Sequence, residues 1–283
     1  QKRLAQRAEG QQGWMRLVRA DGRIYGRITH IGTVTHRCGH SGPNLAQVPS
    51  NDALFGKECR ALFVPREGWL AVGADASGLE LRCLAHYMND PKYTEALLDG
   101  DIHTTNKHAW EVDDRSLGKR LTYCCLCGGG DGMLGSLLGG GAAEGKAARA
   151  RFMRNLPALH KLGKAVKSRA RSRGYLVGLD GRVLPVRKMH SALNVLLQGA
   201  GAVAMKVATI EAEGGASDRG LTGGDYGLVG HIHDEMQYEA SPEVAYDLAE
   251  DLPGAFLSAG NLLGFRLPLD GEAKVGATWR DTH

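Results

Sequence analysis

A chain of 283 residues, 43% hydrophobic and 23% charged, can bury one large core or two modest ones, which excludes a disordered or fibrous protein. Its apolar runs fall short of the roughly 18 to 20 residues that cross a bilayer, and its opening, QKRLAQRAEG, lacks the apolar stretch of a signal peptide. No membrane partner is therefore expected, the compartment expected is the cytoplasm (a host's cytosol for a viral protein), and with a net charge of only +4 any polyanion must be met by a local patch.

The chain starts at Gln1 rather than Met and quickly reaches the helical WMRLV (14–18), as expected of a piece of a longer protein. Its first basic cluster comprises Lys2, Arg3, Arg7, Arg16, Arg19, Arg23 and Arg27. Pro43 to Pro49 mark an extended loop. LAVGAD (70–75) reads as a buried strand, and the i, i+3, i+4, i+7 spacing of Leu81, Leu84, Ala85 and Met88 predicts a helix after it. Asp75 thus falls at a strand-to-helix junction. A second helix is predicted over 114–127, capped by Asp113 or Asp114 and closed by Gly128–Gly130. Basic helical sequence follows to Arg173 with a break at Pro157, and residues 142–174 hold ten Lys and Arg against the single acid Glu144. A solvated helix face and a polyanion surface both remain open for that run.

GYLVGLDGRVLPV (174–186) carries the Asp180-Gly181 signature of a β-hairpin. A long apolar helix is expected over 193–212, two strands meeting near His233-Asp234 over 227–240, and a helix over 242–260. Strands and helices mix without regular βαβ alternation, so the predicted class is α+β.

Asp75 and Asp234 each interrupt an apolar strand context, where an unpaired charge is expensive and something cationic should offset it. Two such carboxylates brought together can hold a pair of divalent ions for phosphoryl transfer; a helix cap and a polar turn are the plainer alternatives. Arg115, Lys119, Tyr123 and Cys127 recur every four residues and form one helix stripe. Like charges at that spacing repel, so the stripe suits a facing polyanion such as a triphosphate, or else is a solvated face. Ser77 and Glu80 fit a capping box. The six cysteines show no secreted-type framework and are expected as reduced thiols; Cys124 and Cys127 lack a second pair for zinc and lie in a predicted helix.

Taken together, DASGLELR (75–82), the segment running from Arg115 through Lys119 and Tyr123 to Gly128, and HDE (233–235) resemble the three motifs of the family A (polymerase I-like) DNA polymerases, closest to the short-tailed phage replicative branch. PNLAQVP (43–49), GDIHT (100–104), LDGR (179–182), LNVLLQ (193–198) and VGATW (275–279) occur in the family's order. The resemblance implies a palm, an antiparallel sheet with helices, in two parts (1–88 and 191–283) around helical fingers (89–190), with the thumb and exonuclease domains lying upstream and absent here. It implies template-directed addition of dNTPs to a primer 3′-hydroxyl. Asp75, Asp234 and the Ala76 carbonyl would hold two Mg²⁺ ions, and Glu80 would be the steric gate against ribonucleotides. His103, Arg115, Lys119 and Tyr123 would bind the nucleotide, and Arg37, His190, Asn194 and Gln198 would read the minor groove of the primer-template end. Minor-groove acceptors occur on every base pair, so such contacts check pair geometry without reading sequence. Glu235 and His283 are further candidates near the site. The family usually carries Tyr where Cys127 stands, and a thiol is a weaker hydrogen-bond partner. A non-catalytic nucleic-acid-binding fragment and a metal-dependent nuclease are the alternative functions. The expected partners are DNA and dNTPs, with any processivity factor unidentified.

Overall fold

The computed structural model describes residues 13–283; Lys2, Arg3 and Arg7 of the basic cluster lie outside them. The chain divides into two compact units. The first runs through Ser77 and takes in Ala202–Leu262 and Leu269–His283, while the second comprises Gly78–Gly201 and Leu263–Pro268. These divisions fall at 77/78 and 201/202, not at 88/89 and 190/191 as the sequence suggested. The reason is packing: the helix after Asp75 belongs with the helical unit, where a Cβ on Gly201 would sit 3.3 Å from Leu79 Cδ2.

The first unit begins with α1 (Trp14–Leu17), a small hairpin of β1 (Arg27–Thr29) and β2 (Gly39–Ser41), α2 (Gly56–Ala61) and β3 (Leu70–Ala76). The second holds α3 (Leu79–Met88), α4 (Pro91–Leu98), α5 (Ile102–Trp110), α6 (Arg115–Leu126), α7 (Asp131–Leu137), α8 (Ala142–Asn155), α9 (Pro157–Arg173) and a hairpin of β4 (Tyr175–Val177) and β5 (Val183–Pro185). The long helix α10 (Ala192–Asp218) gives its first ten residues to the second unit and the rest to the first. β6 (Tyr226–Ile232), β7 (Glu235–Ala240), α11 (Ala245–Leu262) and β8 (Gly271–Gly276) complete the chain.

The first unit is built on an antiparallel sheet of order β6-β7-β3-β8. Side chains alternate across a pleated strand, so one face carries Val72, Ala74 and Ala76 beside Met236, Tyr238 and Ala240, all nearly or fully buried. α11 closes on this face so tightly that a Cβ on Gly271 would lie 2.3 Å from the Phe256 ring. The other face is polar and carries Asp75, Glu235, Gln237 and Glu239. In β6 the register skips Val229, a bulge between Leu228 and Gly230.

α10 exceeds what the apolar runs suggested. Residues Met189–Asp218 are long and apolar enough to span a membrane by length and composition, yet Ala200, Ala204, Met205 and Ala208 are each at most 1% exposed inside the protein, as in a core helix. In the second unit Trp110 is fully buried, stacks on Phe152 with centroids 4.0 Å apart, and donates from Nε1 to Thr122 Oγ1 at 3.0 Å. One aromatic pair thereby ties α5, α6 and α8 together.

Candidate active site

In the first unit the candidate residues lie on the polar face of the sheet. Asp75 ends β3 opposite Glu235 of β7, and Ala76 N donates to Asp234 O at 2.9 Å, so a backbone bond fixes the end of β3 to the β6-β7 turn. His233 takes the left-handed φ of +59° in that turn. Asp75 is half-buried in the strand, as its apolar context implied, whereas Asp234 is exposed in the turn and does not interrupt a strand. Burial first, and the neighbouring Asp234 charge second, push the Asp75 carboxyl up to about 7, with the His283 imidazole opposing them.

Among the described residues neither Asp75 nor Asp234 has an ion-pair partner, and no group of three or more His, Cys, Asp or Glu is arranged to hold a metal. Two under-compensated carboxylates without a protein cage suit a hard cation that keeps positions for phosphate oxygens and water, as Mg²⁺ does. The residues present therefore fit the ion that the motif implied.

Glu235 has a different task. Its Oε1 accepts from Trp279 Nε1 and, at 2.6 Å, from Gln237 Nε2, and lies 3.5 Å from the Arg60 guanidinium; Oε2 lies 3.3 Å from His283 Nδ1. Arg60 also stacks over the Trp279 ring at 4.5 Å. Burial raises the Glu235 carboxyl, but bonds from His283 and Trp279 and the Arg60 charge outweigh it, leaving it below its ordinary value. Glu235 is thus the centre of a buried polar hub, already satisfied. Arg60 escaped sequence reasoning because nothing local marks its partner, which lies 175 residues away.

Arg37 sits on the loop beside His233, whose imidazole is lowered by burial first and the Arg37 charge second. That loop is pinned by Lys206 of α10, whose Nζ donates to His30 O at 2.7 Å and His36 O at 2.6 Å.

A separate group of candidate residues, in the second unit, lies on α5 and α6. Asp114, one of the two cap candidates, accepts from Ser116 N at 2.8 Å and Leu117 N at 3.2 Å and starts α6. Gly118 lets the two helices touch: a Cβ there would be 2.8 Å from Lys107 Cα. The close crossing brings His103 to the stripe, with its ring 6.4 Å from that of Tyr123. Burial first, then the charges of Lys119 and Arg115, hold the imidazole below its ordinary value, and its Nδ1 is buried without a hydrogen-bond partner. Lys119 is exposed and, among the described residues, has no ion-pair partner.

Arg115 is already forked. Its Nε and Nη2 donate to the two Asp101 carboxylate oxygens at 2.7 and 2.9 Å, while the same carboxylate caps α5 through His103 N at 3.0 Å. The Arg115 bonds hold Asp101 well below the usual carboxylate range. Asp101 stood inside the GDIHT block but was not read as a site residue.

Glu80 is half-buried in the first turn of α3, but the capping-box reading fails. The N-cap is Gly78 at a left-handed φ of 59°, with no side-chain cap bond, which puts Ser77 one residue too early. His190, in a 3₁₀ turn, and Asn194, on α10, meet the end of α6. Asn194 Nδ2 donates to Cys127 O at 3.1 Å, and the left-handed Gly128 lies against His190 O. Asn194 Oδ1 is buried and unpartnered. Gln198 follows one turn later on α10 and is half-buried. Cys127 is exposed at the C-cap of α6. The second unit therefore gathers His103, Arg115, Lys119 and Tyr123, and separately His190, Asn194 and Cys127; the first gathers Asp75, Asp234, Glu235 and His283.

Comparison with known proteins agrees with the motif order. The family described as DNA polymerase family A matches residues 6–281. The DNA-directed DNA polymerases of Enterobacteria phage T3 and Escherichia phage T7 are 38% and 37% identical over 312 aligned residues, covering 100% of this chain and 44% of each phage protein. The thermostable DNA polymerase I of Thermus aquaticus is 28% identical over 91% of this chain and 32% of its own length. The chain thus spans less than half the length of these relatives. A solved structure, the POL domain of Pol1 from M. smegmatis in complex with DNA primer-template and dNTP, superposes with a TM-score of 0.84 at 24% identity, over 94% of this chain and 50% of that one, and so shares the fold. With its motifs in order, its sheet and helices in that fold, and the family match running over nearly its whole length, the chain belongs to DNA polymerase family A.

Proposed function

We propose that this chain is the palm and fingers portion of a template-directed DNA polymerase that adds dNTPs to a primer 3′-hydroxyl, the first unit acting as palm and the second as fingers. The observation that carries the reading is the pair Asp75 and Asp234, held by one backbone bond and, among the described residues, without an ion-pair partner. Two magnesium ions, held by Asp75 and Asp234 with help from the Ala76 carbonyl, would supply Lewis-acid charge to the attacking and leaving oxygens.

The residues of the second unit do the binding. Lys119 offers a point charge and Arg115 a planar fork to the triphosphate, Asp101 holding that fork in a fixed direction until phosphate arrives. The His103 imidazole, held below its ordinary value by burial first and then by Lys119 and Arg115, stands beside the stripe to meet a phosphate oxygen, and Tyr123 supplies a flat face to sugar and base. Glu80 excludes a ribose 2′-hydroxyl. Arg37, His190, Asn194 and Gln198 meet the minor groove of the primer-template end, where acceptors common to all pairs report geometry.

Primer extension with Mg²⁺ tests the reading. Asp75→Asn and Asp234→Asn should each lower extension at least a hundredfold while leaving the fold intact, because each removes ligand charge and no core packing. Activity within tenfold of the parent in either variant excludes the two-carboxylate assignment. Degradation of the primer in place of its extension would point to a nuclease.

A further inference from the structure

α9 carries more positive charge than the proposed reaction uses. Leu159, Val166 and Ala170 bury one side of this helix, at 0%, 6% and 1% exposure. Lys161, Lys164, Lys167 and Arg171 are exposed and fall at i, i+3, i+6 and i+10, a strip along the exposed side of the helix. At 1.5 Å per residue the row is about 15 Å long.

The row is uncompensated. Among the described residues none of these four side chains is in an ion pair, although nearby cations are: Arg115 with Asp101, Arg149 with Asp131, and Arg151 with Glu111. Neighbours three and four apart on a helix repel when like-charged, so the row weakens α9 and no ion pair among the described residues offsets it. A ladder of phosphates alongside would reverse the sign of every term.

Its position narrows the ligand. Lys167 lines a cavity of about 410 Å³ together with Gly128–Gly130, Arg149 and His190. That space is far too small for a duplex, and a strip of four cations about 15 Å long on one helix matches the phosphates of one backbone. We propose that the exposed face of α9 is a phosphate track for the unpaired template strand beyond the primer-template end. The contact is non-specific in sequence, and it rests on the polymerase reading only for the identity of the strand.

Each phosphate neutralised on a single strand contributes about 0.7 to the slope of log affinity against log salt. Four cations therefore set about 2.8, equal to roughly fiftyfold in affinity over a fourfold change in salt. The test compares the full chain with its K161Q/K164Q/K167Q/R171Q variant. Binding is measured by fluorescence anisotropy across a salt series, on primer-templates whose 5′ template overhang is either one nucleotide or about fifteen.

The proposal expects the long-overhang slope to drop by about 3 in the variant, affinity for that DNA to fall tenfold or more at low salt, and the one-nucleotide substrate to bind within about twofold of the parent. The single variant K164Q should lower the slope by about 0.7, a readout that does not depend on the fourfold variant folding. Equal losses on both overhangs or an unchanged slope would each overturn the track. If the slopes shift as expected while the parent extends no primer, the catalytic reading fails and the track stands; if extension proceeds and the slopes do not move, the track alone fails.

Discussion

Two carboxylates on neighbouring positions of β7 and its turn meet different fates. Asp234 faces solvent in the turn, and Glu235, one residue later, is consumed by Trp279, Gln237, Arg60 and His283. Sequence spacing marks both equally. Glu80 offers the converse lesson: Ser77-x-x-Glu80 has the spacing of a capping box, yet the left-handed Gly78 is the N-cap and the Ser77 amide donates to Asp270 O instead. Glu80→Ala should raise the kcat/KM ratio of rNTP to dNTP at least tenfold; an unchanged ratio would remove the gate assignment. Asp101 works through Arg115 and not on substrate. Asn caps a helix about as well as Asp, so Asp101→Asn should keep α5 folded while releasing the Arg115 fork. The expected result is a three- to tenfold rise in KM for dNTP with kcat within about twofold; a fall in kcat at constant KM would mean that Asp101 acts in the chemical step.

At the scale of elements, periodicity and punctuation carried far. β3, α3, α6, the break at Pro157, the β4-β5 hairpin with Gly181 at a positive φ, α10 and α11 all form where spacing or turn chemistry indicated, and α10 and α11 differ from expectation by a few residues at their ends. What was not legible included α4, α5, α7 and β8. The three helices are short segments of mixed polarity whose buried face is too narrow to show a repeat, and β8 is defined by pairing with β3, 200 residues away in sequence. Contacts between distant segments were equally hidden, above all the Gly118 approach of α6 to α5. Gly118→Ala would drive a Cβ into Lys107 backbone at 2.8 Å, so the helices must separate. Overpacking of this kind costs about 1–3 kcal/mol, which lowers Tm by roughly 2–4 °C per kcal/mol. Because His103 lies on one helix and the stripe on the other, KM for dNTP should rise as well. A variant with lowered Tm and unchanged KM would show that the crossing serves stability alone.

At the scale of the molecule, the carboxylate pair makes stability depend on pH and metal together. The folded Asp75 carboxyl is pushed up to about 7 from an ordinary 3.8, by burial first and Asp234 second, so the folded state binds its proton more tightly than the unfolded state does. Its contribution is complete below about pH 4 and is lost as pH rises through about 7. In chelator, the Tm of Asp75→Asn relative to the parent should therefore increase between pH 5 and pH 8, by on the order of a few degrees. Mg²⁺ at pH 8 should raise Tm in the parent and leave Asp75→Asn nearly unmoved, since a ligand stabilises only the state that binds it. A Tm difference that stays constant across the range would mean that Asp75 titrates as an ordinary carboxylate. His283, raised chiefly by its bond to Glu235 and in part by the Asp75 charge, acts in the same direction, so Asp75→Asn removes the Asp75 contribution together with a part of that of His283.

The bulge in β6 bears on how this protein keeps to itself. A four-stranded sheet that is not closed into a barrel has two open borders, each a row of amide and carbonyl groups ready to accept a strand from another molecule. β6 is one border, and it shows Leu228 and Val229 at 39% and 48% exposure, which invites such pairing. The extra residue Val229 breaks the regular hydrogen-bond spacing there and adds twist, so an incoming strand finds no matching ladder. The opposite border, β8, is guarded by charge instead, with Glu272 and Lys274 on the strand itself. Aggregation by edge addition is thereby discouraged at both ends of the sheet by different means, one geometric and indifferent to salt, the other electrostatic and weakened by it.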